Sequence, residues 1–153
     1  MMIPILALGT NSQIASSNTN GTIRATQEVL NLWEECKLIE LYFSIDGLGE
    51  RFNYQRTGAD WYNTVDNLLW YKQQMPHNHM FKINCTWSYI NLYYLDELVD
   101  WHKSNFSTNR YGDPVNLIFQ RVIGKFNINH MSETVQQKLN DRFANYPMLL
   151  DLV

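Results

Sequence analysis

The chain has 153 residues, 45% of them apolar and 18% charged, with a net charge of −3. This composition excludes a disordered polymer and gives no large field to attract nucleic acid or anionic lipid. No run is long and apolar enough for a membrane span, and Met1 to Leu8 is short and lacks a basic flank, so neither a membrane nor a signal peptide is expected.

Residues 3–18 are ambiguous, with Ile3, Ile5 and Leu6 starting one candidate strand and Gln13 to Ser17 forming another. Thr19-Asn20-Gly21-Thr22 then reads as a turn followed by a capping threonine. Ile23 to Cys36 reads as helix, because Val29, Leu30, Trp33 and Cys36 recur at spacings of three and four. Leu38 to Phe43 is short and almost wholly apolar, which suits a strand buried on both faces. Asp46 to Ala59, with Gly47, Gly49 and Gly58, reads as a loop. Asp60 caps the next helix, which carries Trp61, Val65, Leu68 and Leu69 and ends at Pro76.

Met80 to Ser88 alternates, Phe81, Ile83, Cys85 and Trp87 on one face and Lys82, Asn84 and Thr86 on the other, so it is a strand. Asn91 is placed to cap a helix carrying Leu92, Leu95, Leu98 and Trp101 or His102. Gly112-Asp113-Pro114 is a turn, Val115 to Ile123 is a strand, and Ser132 caps a last helix with Val135, Leu139 and Phe143. Alternating strands and helices imply right-handed crossovers and a parallel sheet. The expected fold is a single α/β domain over 1–153, a partial (β/α) barrel fragment of about four parallel strands with flanking helices. Four strands do not close a barrel and leave two edges, so the chain reads as the latter part of a larger fold.

Function is sought where strands end, because parallel α/β folds bind ligands at the carboxyl ends of their strands. Phe43-Ser44-Ile45-Asp46-Gly47 sits at such an end, and Arg56 follows nine residues after the glycine. A hydroxyl, a carboxylate and a guanidinium there suit a polar ligand with a carboxylate or ribose hydroxyls. Other groups read more plainly. Cys36 and Cys85 are buried free thiols, which fits a cytoplasmic chain, and the Asn-X-Ser/Thr triplets at 20, 84 and 105 are chance matches. His77-Asn78-His79 follows Pro76 as a turn without a third metal ligand, while His102 and His130 read as surface or cap residues. Asp96, Glu97 and Asp100 suit a helix N-terminus. Trp87 reads as core, with stacking on a ligand as the alternative, and Gln120 and Arg121 lie late in the last strand.

Thr19-Asn20-Gly21, Ser44-Ile45-Asp46-Gly47, Arg56 and Asn91, in that order and spacing, resemble the second half of a radical S-adenosylmethionine enzyme core of the SPASM and twitch type. The resemblance covers about residues 14–125. It implies a partial (β/α) barrel that binds S-adenosylmethionine, with Ser44 at the ribose and Arg56 at the cofactor carboxylate. It further implies Asp46 holding the loop or the ribose, and Thr19, Asn20 and Gly21 shaping the adenosine side. In the family a C-x-x-x-C-x-x-C motif holds a [4Fe–4S] cluster and a 5′-deoxyadenosyl radical is formed for hydrogen abstraction. That motif is absent from this sequence, and Asn53 stands where members often carry an acid. The expectation is therefore a chain inactive alone, complemented by a chain carrying the cysteines and acting on an unidentified small-molecule or peptide substrate. The rival expectation is a non-catalytic α/β module pairing with a partner through its open sheet edge, and a third is an independent doubly wound domain.

Overall fold

The structure is a computed structural model that describes residues 14–77, 79–122 and 131–153. Four strands, β1 (Ile14–Thr19), β2 (Leu38–Ser44), β3 (His79–Trp87) and β4 (Asn116–Arg121), form one sheet in the order β1-β2-β3-β4. Every neighbouring pair is parallel. Helix α1 (Gln27–Glu34) joins β1 to β2, and α2 (Glu50–Gln55) and α3 (Trp61–Gln74) join β2 to β3. A 3₁₀ turn at Leu92–Tyr94 and α4 (Leu95–Phe106) lead to β4, and α5 (Glu133–Arg142) and α6 (Pro147–Leu150) follow. The α/β class and the four parallel strands are as expected; the candidate strand at Ile3 to Leu6, together with Ile123 and His130, lies outside the described residues.

A sheet whose strands run in chain order, joined by crossovers of one hand, receives its helices on one face. The ring contacts show this arrangement. Trp33 of α1 meets His79 at 5.8 Å, Tyr71 of α3 meets Phe43 at 5.0 Å, and Phe106 of α4 meets Phe81 at 5.7 Å. All three targets share the face that also carries the buried Leu41, Ile83 and Cys85. The core continues from there into Leu139, Phe143 and Leu149 near the C-terminus. The opposite face is mainly polar: Glu40, Tyr42, Ser44, Lys82, Asn84 and Gln120 stand on it by register, with Leu38, Met80 and Ile118 among them. β2 was expected to be buried on both faces. Its burial instead alternates, because Glu40 and Ser44 break the apolar run on the face without helices.

Several local readings shift for identifiable reasons. Thr26, not Thr22, caps α1 through Val29 N, since the Thr22 hydroxyl already donates to Asn20 Oδ1 at 2.8 Å. α1 ends at Glu34, so Cys36 lies beyond it, though still buried like Cys85. The expected loop from Asp46 to Ala59 contains α2, a short helix entered at Gly49 with positive φ and anchored by the buried Phe52. Asp60 and Ser132 cap as expected, accepting from Asn63 N and Val135 N. Two histidines are corrections: His79 opens β3 instead of finishing a turn, and His102 is buried in α4 instead of lying at the surface. No described helix is long and apolar enough to cross a membrane.

His79 gives the core a measurable pH response. Burial, and secondly the charge of His77, push its pKa from the ordinary 6.5 down to about 4. The unfolded chain thus takes up this proton first on acidification, and stability falls as pH drops from about 6.5 towards 4. Urea titrations across that window are expected to show a steeper loss in the native chain than in His79→Leu; equal slopes would assign the acid response to other groups.

Candidate functional site at the carboxyl rim of the sheet

The end of β2 and the end of β3 are tied together through Asp46. The chain leaves β2 at Ser44, and Ile45 N still bonds Asn84 O at 2.9 Å, which carries Asp46 inward beside β3. Asp46 Oδ1 accepts from Thr86 N at 2.8 Å, and Oδ2 takes Arg56 Nη2 at 2.5 Å. Asn91 closes the lock from the other side. Its Nδ2 donates to the Asp46 carbonyl at 2.7 Å and to Thr86 O at 3.0 Å, while its Oδ1 accepts from Ser88 N at 2.8 Å. Asn91 does not cap the following helix with its side chain. Its amide is consumed inside the loop, so it shapes the rim instead of projecting from it.

Arg56 reaches Asp46 because α2 folds the intervening glycine-rich segment back over the strand end. Gln55 braces this fold, donating to Asp46 O at 3.4 Å and to Arg51 O at 3.2 Å. Asn53 has a structural partner as well: its Oδ1 accepts from Trp61 N at 2.8 Å, joining α2 to the start of α3. The Arg56 guanidinium is a quarter exposed, and its Nε is buried without a hydrogen-bond partner. Ser44 stands at the carboxyl end of β2 on the helix-free face, in register with Asn84 of β3.

The turn after β1 forms a second edge of the rim. Thr19 Oγ1 accepts from Gly21 N at 3.1 Å and Asn20 Oδ1 from Thr22 N at 3.2 Å. Gly21 has φ +73°, and a Cβ there would lie 2.7 Å from Leu68 Cδ1, so the position requires glycine. One face of α3 holds this turn in place. Asn67 Nδ2 donates to Gly21 O at 2.9 Å, Asn63 Nδ2 to Thr22 O at 3.3 Å, and the Tyr71 hydroxyl to Ile23 O at 3.0 Å. Asn67 Oδ1 also accepts from Arg24 Nε at 2.8 Å. These residues were missed in the sequence, where their signal was polar side chains four residues apart inside an otherwise amphipathic helix.

Two further groups were also missed. On the helix-free face, Lys82 Nζ donates to Glu40 at 2.7 Å and to the Tyr42 hydroxyl at 3.1 Å. This bonding raises the Lys82 pKa and lowers that of Glu40. Beside the rim, Asp96 and Glu97 at the head of α4 take Arg142, Glu97 also takes Arg51, and the two arginines lie over Tyr93 and Tyr94. The helix-end reading of these acids holds, with ion pairs added. Trp87 is core and Arg121 lies over its ring, so neither reaches the helix-free face, whereas Gln120 does. A cavity of about 370 Å³ at the amino end of β3 and β4, between His77, Lys82 and Asp113, touches none of the expected site residues.

The residues do not suit an iron–sulfur cluster. Both cysteines are buried, burial pushes the Cys85 thiol well up, and no cluster of metal-ligating side chains occurs among the described residues. No family model, no curated protein and no solved structure matches this chain.

Removing the Asp46 carboxylate leaves Thr86 N and Arg56 unanswered, so Asp46→Ala is expected to cost about 2–4 kcal/mol in chemical denaturation. Asp46→Asn, which can still accept from Thr86 N, loses less. Gly21→Ala is expected to cost about 1–3 kcal/mol through positive φ and the Leu68 collision; a change within a few tenths would mean the turn relaxes freely.

Proposed function

We propose that the carboxyl rim binds S-adenosylmethionine, and that the chain forms the second half of a radical S-adenosylmethionine enzyme core. The observation that carries this reading is the Asp46–Arg56 pair, two residues past Ser44, at the end of a parallel, chain-ordered sheet with helices on one face. Such a sheet would form one wall of a partial (β/α) barrel, with its helix-free face turned inward. Ser44 would meet ribose hydroxyls. Arg56, held by Asp46 through Nη2, would offer the Nη1 end of its guanidinium to the cofactor carboxylate. Thr19, Asn20 and Gly21 would bound the adenosine side. The cofactor, when bound, supplies a sulfonium whose reductive cleavage yields the abstracting radical. The [4Fe–4S] cluster needed for that chemistry would come from a complementing chain, since this chain's residues do not fit it.

The alternative, a module that pairs through its sheet edge, draws support from β1. Among the described residues β1 is outermost, and Ile14, Ser16 and Asn18 are exposed without a charge to deter a pairing strand. Calorimetry separates the two. Saturable S-adenosylmethionine binding, weakened about tenfold or more by Arg56→Ala, supports the cofactor reading. No binding, together with a stable dimer in sedimentation, supports the edge-pairing module and sets the cofactor reading aside.

A further inference from the structure

The helix-free face carries a buried acceptor that no group among the described residues answers. Asn84 lies in β3 between Ser44 of β2 and Ile118 of β4 and is only 7% exposed. Its Nδ2 donates to Gln120 Oε1 at 3.1 Å, but its Oδ1 is buried without a partner. Leaving such an acceptor unpaired is destabilising, and native proteins seldom carry one without a reason.

Gln120 is the exposed member of the pair, set beside Thr86 in register. With Oε1 engaged by Asn84, its Nε2 donors remain available. The bonded pair therefore keeps one unused acceptor, on the buried Asn84, and unused donors on Gln120. Turning both amides over leaves the same complement, so the pattern belongs to the pair. The face is also electrically balanced. Glu40 and Lys82 are the only charged residues among its described strand positions, and they bond to each other. A free carboxylate or ammonium would find no counter-charge there, whereas a neutral group with adjacent N–H and C=O matches both amides.

We propose that Asn84 and Gln120 recognise a neutral amide, either a peptide bond or a carboxamide, on a ligand lying against the helix-free face. The ligand N–H donates to Asn84 Oδ1, and its carbonyl accepts from Gln120 Nε2. The exposed Gln120 head pivots about its Oε1 bond to Asn84 Nδ2 to uncover the acceptor. This inference deepens the proposed function by naming the substrate's recognised group, and it rests on that reading for the face being the ligand side.

The test is a titration of the full ¹⁵N-labelled chain with N-acetylglycinamide, following the Asn84 and Gln120 side-chain amide resonances. Saturable shifts of both are expected, with no response to acetate or ethylammonium. Asn84→Leu should weaken binding about tenfold or more, the effect of one lost hydrogen bond to a buried group. Gln120→Glu, at an exposed position that does not threaten folding, should remove it by replacing the donor with a carboxylate. Absence of saturable shifts, or unchanged binding in Gln120→Glu, overturns the proposal. Shifts caused by adenosine but not by the amide also overturn it, because the pair would then read a nucleobase edge. Amide binding that persists without S-adenosylmethionine binding would remove the cofactor reading and leave this site standing; the reverse would remove this site alone.

Discussion

The carboxylate of Asp46 is the constraint on which the rim depends. Adjacent parallel strands are held by evenly spaced backbone bonds along their length, but those bonds stop where the chains diverge into loops. At the ends of β2 and β3 the Asp46 side chain takes over, accepting from the Thr86 backbone and from Arg56, while Asn91 grips the Asp46 carbonyl. One short side chain thereby fixes two loops and the short helix α2. The arginine is the outermost part of this lock, and its position follows from the pairing. In the proposed site the same pair would both build the rim and present a guanidinium to a ligand. A preorganised guanidinium loses less freedom on binding than a mobile one.

The second consequence comes from strand order. Because the strands follow one another in sequence and all run the same way, the helices gather on one face and supply the aromatic core. The other face receives no helix from the described residues and has a different chemistry. Its ion pair, hydroxyls and amides are partly buried and largely paired with one another. That arrangement suits a surface whose polar groups meet a ligand. The proposed amide site and the proposed cofactor rim lie on the same surface, with Ser44 and Asn84 adjacent across the β2–β3 ladder.

The broad fold was legible because its signals are local. The alternation through β3, the stripe of α3 and the caps Asp60 and Ser132 each depend on neighbours within a few residues. Misreadings arose where a distant partner decided the outcome. Thr22 resembles a cap, but its hydroxyl is engaged in a turn strapped down by α3, more than forty positions later in the chain. Asn91 also looks like a cap, until Asp46 claims its amide. His102 is polar in sequence and buried in fact, since the packing of α4 against the segment entering β4 is not encoded by its neighbours. At the rim, the residue types were visible in Ser44, Asp46 and Arg56, while the pairing of the last two was not. The Glu40–Lys82 and Asn84–Gln120 contacts required the strand register, which no single segment specifies.

A crystal structure of the chain grown with S-adenosylmethionine examines the central claim most directly. The account predicts ligand density along the carboxyl ends of β2 and β3, with its carboxylate bonded to the Arg56 guanidinium and a ribose hydroxyl bonded to Ser44. Density elsewhere, or an unliganded rim at saturating concentration, would contradict it.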